Sequence, residues 1–111
     1  MKILFKTKKL ERTLSQQKEM NKAFDKRMVK KLRVNMSLLR ASECLDDIPR
    51  TPPQRCHELT GRLKGKFAID LKQPYRLIFT PANIPVPKKS DGGIDLKQVT
   101  AVKILEVIDY H

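Results

Sequence analysis

Two histidines stand among the 111 residues, His57 and His111. They are the side chains best suited to move protons near neutral pH, because imidazole titrates there and serves as base or acid. His111 follows Asp109 and Tyr110. Its own α-carboxylate is expected to favour the imidazolium form, and Asp109 could orient a histidine. Arg76 lies between Tyr75 and Leu77 in an alternating apolar run, an unexpected place for a merely solvated residue. Its planar guanidinium matches two non-bridging oxygens of a phosphate at once. Tyr110 can stack on a base or donate a hydrogen bond to phosphate. The chemistry that such groups share is acid–base catalysis at a phosphate ester.

Each residue also has a plainer reading. A histidine at the entrance to a strand, as His57 would be, often only hydrogen-bonds a backbone carbonyl. Arg76 could pair with Asp70, Asp109 or Glu106 across a sheet. Tyr110 could cap the core with its hydroxyl in water, Asp109 could simply end a strand, and a terminal histidine frays unless tied down. Cys56 adjoins His57, but neighbours on a strand point to opposite faces, so a thiolate–imidazole pair is not expected. With Cys44 and Cys56 the only cysteines, and no C-x-x-C pair or histidine cluster, neither a metal site nor a disulfide framework is implied, and no cofactor.

The elements that must position these residues follow from composition and period. A chain of this length is expected to form one domain over residues 1–111. Twenty-four Lys and Arg against twelve Asp and Glu leave a net charge of +12, which points to a polyanionic partner, nucleic acid first and a membrane surface second. Residues 1–40 alone hold thirteen basic side chains against Glu11, Glu19 and Asp25. No apolar run is long enough to span a membrane, and charges interrupt the start, so a cytosolic location is expected.

After a short apolar strand at Ile3–Phe5, no Gly or Pro occurs until Pro49, which makes helix the default. A first helix is expected around Lys9–Met20, anchored by Leu10 and Leu14. A second carries the stripe Phe24, Met28, Leu32, Met36 and Leu39, with Lys26, Arg27, Lys30, Lys31, Arg33 and Arg40 on its other faces. Pro49, Pro52 and Pro53 end the helical half. Beyond them the period becomes two, in Phe67–Leu71 and Tyr75–Phe79 with Gln73-Pro74 as the hairpin connection, and a last apolar strand runs Val99–Tyr110. Between them, residues 81–98 hold three prolines and Gly92-Gly93, the composition of an exposed, mobile insertion loop. The prediction is an α+β domain: a strand, two helices on one face, then a mostly antiparallel sheet of three further strands.

From Arg55 the chain reads R-C-H-E-L-T-G-R-L-K-G-K-F-A-I-D-L-K-Q-P-Y-R-L-I-F, and it finishes on D-Y-H. This resembles the HigB branch of the RelE/ParE toxin superfamily. The shared features fall on His57, Leu59, Gly61, Gly65, Phe67, Tyr75, Arg76, Asp109, Tyr110 and His111. Two positions depart from the family pattern: Glu58 stands where proline is common, and Thr60 where many relatives carry a lysine.

The resemblance implies a metal-independent endoribonuclease that acts on messenger RNA at the ribosome. It also implies a HigA-like helix-turn-helix antitoxin as partner, with operator DNA contacted only through that antitoxin. RNA cleavage needs a group to take the proton from a ribose 2′-hydroxyl, cations around the charged phosphorus, and a donor for the departing 5′-oxygen. His111 is the first candidate for proton transfer and His57 the second, Arg76 the candidate for transition-state stabilisation, and Tyr110 and Asp109 their helpers. Arg55, Arg62, Lys64 and Lys66 are the candidate RNA-binding cations. Two alternatives remain: a non-catalytic, gyrase-binding toxin of the ParE kind, and a basic RNA- or ribosome-binding module whose catalysis has decayed.

Overall fold

The helical spacing before Pro49 and the two-residue alternation after it become two layers in the computed structural model, which describes residues 1–109. β1 (Lys2–Phe5) leads into α1 (Lys8–Ser15), α2 (Gln17–Ala23) and α3 (Lys26–Ala41), followed by β2 (His57–Glu58), β3 (Phe67–Asp70), β4 (Tyr75–Pro81) and β5 (Ala101–Asp109). The strands form one sheet in the order β1-β5-β4-β3-β2, antiparallel except for the parallel pair β1 and β5. The fold is α+β as the sequence predicts, with one more helix and one more short strand, β2, among the described residues. No helix there is long and apolar enough to cross a membrane.

The additional helix arises from a break at Gln16. Leu14 and Met20 are both buried, yet in one continuous helix six residues turn to about 120° short of two full turns, so the two side chains would face different sides. An extended Gln16 (φ −111°, ψ 119°) re-aims α2 and lets both reach the core. Phe24 is also displaced from its expected stripe. It is extended (φ −137°, ψ 155°) at the end of α2, because Asp25 takes the N-cap of α3 and its Oδ1 accepts from the Met28 amide at 2.9 Å. The rest of the stripe, Met28, Leu32, Met36 and Leu39, is buried.

All three helices contribute to a core on one face of the sheet, against Phe67, Ile69, Leu77, Phe79, Val102 and Ile104. Phe67 and Phe79 are direct cross-strand partners whose rings stack with centroids 5.8 Å apart. Ile104 and Val107 both touch this core although they are three positions apart, an odd spacing for a strand. A bulge at Leu105 resolves it: Phe79 pairs with Ile104 and the next β4 position, Ile78, with Glu106. Leu105 and Ile108 thereby face the other side of the sheet, where they join Leu59, Leu63, Ala68 and Ile78 in a smaller apolar cluster.

Residues 81–98 are more structured than an exposed loop. Pro81 closes β4 and is buried, Lys88 pairs with Ile94 in an isolated bridge, and Ile94 and Leu96 pack against the main core. Leu96 opens a 3-10 turn, Leu96–Gln98, that feeds β5. Its longest exposed run is 88–92, and Ile84 and Pro85 are exposed as well.

Candidate functional site

Strand pairing decides which side chains share the face turned away from the helices. Asp70 lies opposite Arg76, Arg76 opposite Ile108, and Ile108 belongs to the smaller apolar cluster on that face. The next row on the same face holds His57, Ala68, Ile78 and Glu106. His57 and Arg76 are therefore two strands and two residues apart, about 12 Å between Cα atoms by ordinary strand spacing and rise.

Asp70 is the hub of the first row. It is only 6 % exposed, and a buried carboxylate is costly unless paired. Nε of Arg55 donates to its Oδ2 at 2.5 Å, Nε of Arg76 lies 3.5 Å from its Oδ1, and Nε2 of Gln73 donates to Oδ2 at 3.3 Å. The hydrogen bond to Asp70 and its charge hold the Arg55 guanidinium above its ordinary pKa. Arg55 also has φ 44°, a left-handed conformation that strains a residue with a Cβ. Backbone bonds hold the turn there, from the Arg55 amide to Thr51 O and the Cys56 amide to Pro49 O, both 3.0 Å, and from the Asp70 amide to Gln54 O at 2.8 Å. The plainer reading of Arg76, an ion pair with Asp70, is thus the arrangement found.

His57 likewise adopts its plainer role, with Nδ1 2.6 Å from the carbonyl oxygen of Arg55. Because that oxygen can only accept, Nδ1 carries the proton and the neutral ring keeps its lone pair on Nε2. The same bond that anchors the ring thereby prepares it as a proton acceptor. His57 also borders a cavity of about 750 Å³ at the β2 edge, walled on its far side by Leu96 and Lys97. Cys56 points the other way, into the helix-side core, as strand alternation predicts. Burial pushes its thiol up to about 12, partly opposed by Arg50, so near neutral pH it stays protonated and is a poor nucleophile.

The remaining cations stand apart. Arg62 sits in a 3-10 turn, Gly61–Leu63, with Lys64 exposed beside it and Lys66 half-buried before β3. This turn lies at the opposite end of β3 from Asp70, about 13 Å away for four residues of strand from Lys66. Glu58, the departure from the family's proline, accepts from the Gly65 amide at 3.0 Å, and Thr80 Oγ1 donates to Gly65 O at 3.0 Å. Gly65 is at φ 93°, where a Cβ would strain the turn. Thr60 is exposed at the entry of the 3-10 turn.

Asp109 ends β5 opposite Tyr75, so alternation puts it on the face opposite that of Arg76. Tyr110 and His111 lie outside the described residues. Asp70 is the site residue that sequence reasoning underrated, having considered it only as one of three partners for Arg76. Its signal was a lone carboxylate inside the apolar run Phe67–Leu71. Among the described residues no three histidine, cysteine or carboxylate side chains gather closely enough to hold a metal ion.

Comparison with known proteins adds the family. A family model described as a RelE-like toxin of the type II toxin-antitoxin system HigB matches residues 3–88, a span that contains Arg55, His57, Asp70 and Arg76. No curated protein sequence matches the chain. Among solved structures, a YoeB/ParE toxin from Agrobacterium tumefaciens superposes with a TM-score of 0.60 at 12 % identity, covering 100 % of both chains. A YoeB dimer from Staphylococcus aureus gives 0.55 at 19 % identity, covering 100 % of this chain and 97 % of that one. At such identities the likeness speaks for the fold alone. The chain belongs, by its family match, to the RelE-like HigB toxins of type II toxin-antitoxin systems.

Proposed function

We propose that this toxin is a ribosome-dependent endoribonuclease of the cytoplasm, cutting messenger RNA and arresting translation until a HigA-like helix-turn-helix antitoxin silences it. Operator DNA is then contacted only through the antitoxin. The observation that carries the reading is the sheet face turned away from α1, α2 and α3, where a partly buried Arg76 braced by Asp70 shares a surface with a His57 anchored through Nδ1 to the Arg55 carbonyl.

In this reading a base, His57 Nε2 or the imidazole of His111, takes the proton of the ribose 2′-hydroxyl. The 2′-oxygen bonds to phosphorus, the bond to the 5′-oxygen breaks, and an imidazolium protonates the departing oxygen. The products are a 2′,3′-cyclic phosphate and a 5′-hydroxyl. Arg76 stabilises the negative charge that builds on the non-bridging oxygens. Asp109 and Tyr110 orient the terminal histidine and a neighbouring base, while Arg55, Arg62, Lys64 and Lys66 hold flanking phosphates. The chain has six aromatic residues and no Trp, too few for extended stacking on free RNA, which favours a message already presented by the ribosome.

Primer extension on a defined message tests this, with and without translating ribosomes, for the wild type, Arg76→Ala and a variant lacking His111. Cuts within the decoded region that require ribosomes and vanish in both variants are expected. A wild type that arrests growth without new message ends would replace this reading with the gyrase-binding one.

A further inference from the structure

A chain of contacts joins the two ends of the candidate site. The Asp70 carboxylate accepts from Nε of Arg55 at 2.5 Å on Oδ2 and from its Nη2 at 3.4 Å on Oδ1, and Nε of Arg76 lies 3.5 Å from the same Oδ1. The carbonyl oxygen of Arg55 in turn holds Nδ1 of His57 at 2.6 Å. Arg55 thus serves His57 with its backbone and Asp70 with its side chain. It does so at φ 44°, a strained conformation that persists only where the surrounding contacts over-determine it.

On electrostatic grounds alone a carboxylate is out of place here. A surface that binds a polyanion gains from each positive charge and loses from each negative one, and burying an ionised carboxylate costs further free energy. At 6 % exposure Asp70 has almost no surface to offer RNA, so whatever it contributes must pass through the groups that it holds. We propose that Asp70 is a positioning residue for RNA cleavage: directly through Arg76, and through Arg55 to the turn that carries His57, one carboxylate fixes the cation that meets phosphate and the imidazole that moves a proton in a single geometry. The inference rests on the nuclease reading and extends it to a residue that touches no substrate. Two guanidiniums on one carboxylate keep one net positive charge, so the row still attracts phosphate. What Asp70 adds is order, because side chains fixed before the message arrives need not be fixed at the moment of reaction.

Removing its charge should therefore help binding and harm chemistry. Wild type, Asp70→Asn and Asp25→Asn are compared in single-turnover cleavage of a defined message on programmed ribosomes. The toxin is titrated in excess, so that the saturating rate and the half-saturating concentration are read separately. Asp70→Asn is expected to lower the saturating rate roughly ten- to a hundredfold, while the half-saturating concentration stays equal or falls because a negative charge beside the message has gone. Asp25→Asn removes the same charge from an exposed ion pair with Lys72 and should change neither by more than about twofold. An Asp70→Asn rate within about twofold of wild type overturns the inference. So does a raised half-saturating concentration at an unchanged saturating rate, which is what a partly unfolded variant would give. A second measurement needs no variant: in wild type the Nε protons of Arg55 and Arg76 should exchange with water at least about tenfold more slowly than that of exposed Arg62, and equal exchange at all three overturns the brace. A wild type that cuts no message overturns the nuclease reading and this inference together, whereas a wild type that cuts and an Asp70→Asn that cuts as fast overturn the inference alone.

Discussion

A guanidinium held by a carboxylate is both restrained and partly neutralised, and Asp70 divides its charge between Arg55 and Arg76. The restraint aims Arg76 across the open face, which lowers the cost of ordering it around a phosphate. Lysine keeps the charge but not the planar fork, so Arg76→Lys is expected to lower the cleavage rate about a hundredfold with little change in melting; a rate within a factor of about two of wild type would remove Arg76 from the transition state. Cys56 offers a prediction independent of function. Its folded pKa of about 12 lies above the ordinary 9.0, so the unfolded chain gives up its proton first. The thiol's contribution to stability is therefore complete below about pH 9 and is lost as the pH rises towards 12. Native iodoacetamide labelling near neutral pH should modify the partly exposed Cys44 and spare Cys56 until the protein is denatured. At this scale the sequence exposed residue types but not their contacts. His57 and Arg76 were legible as candidates, while the carbonyl and the carboxylate that hold them come from a turn and a strand whose meeting depends on the whole sheet.

Elements were legible where a single period governs them. Met28, Leu32, Met36 and Leu39 face the core because spacings of four and three keep one side of α3 towards the sheet. Leu32 is fully buried in that stripe, and Leu32→Ala should cost about 3 kcal/mol in urea unfolding at an unchanged slope with denaturant. A loss below about 1 kcal/mol would mean that α3 is not packed as described. The break at Gln16 was missed because α1 and α2 each have strong helix formers, and only the six-residue offset between Leu14 and Met20 records the turn between them. β2 was missed because two residues are too short to show alternation; it exists because β3 offers an edge for His57 and Glu58 to pair with. The tethering of 81–98 was hidden by its prolines, since Ile94 and Leu96 are isolated apolar residues that only the tertiary contact identifies as core.

Across the whole molecule a charge of +12 is spread over both faces, and the sheet and its helical layer stand between the helix-side and the sheet-side cations. The helix-side set includes Lys26, Lys30 and Arg33, and the sheet-side set includes Arg55 and Arg76. If RNA lies on the sheet side, only sheet-side cations release counterions when it binds. The slope of log affinity against log salt should then change by about 0.7 for each phosphate contact removed from single-stranded RNA. Measured between about 50 and 200 mM salt, Arg76→Ala is expected to flatten the slope by about that amount. Lys30→Glu should shift affinity slightly through the overall field and leave the slope as it was. Both variants change the net charge, so a response that merely followed charge would affect both slopes, and the larger effect would fall on Lys30→Glu, which removes two units instead of one. An unchanged slope in Arg76→Ala together with a flattened one in Lys30→Glu would place the RNA on the helical layer, contradicting the assignment of the sheet face.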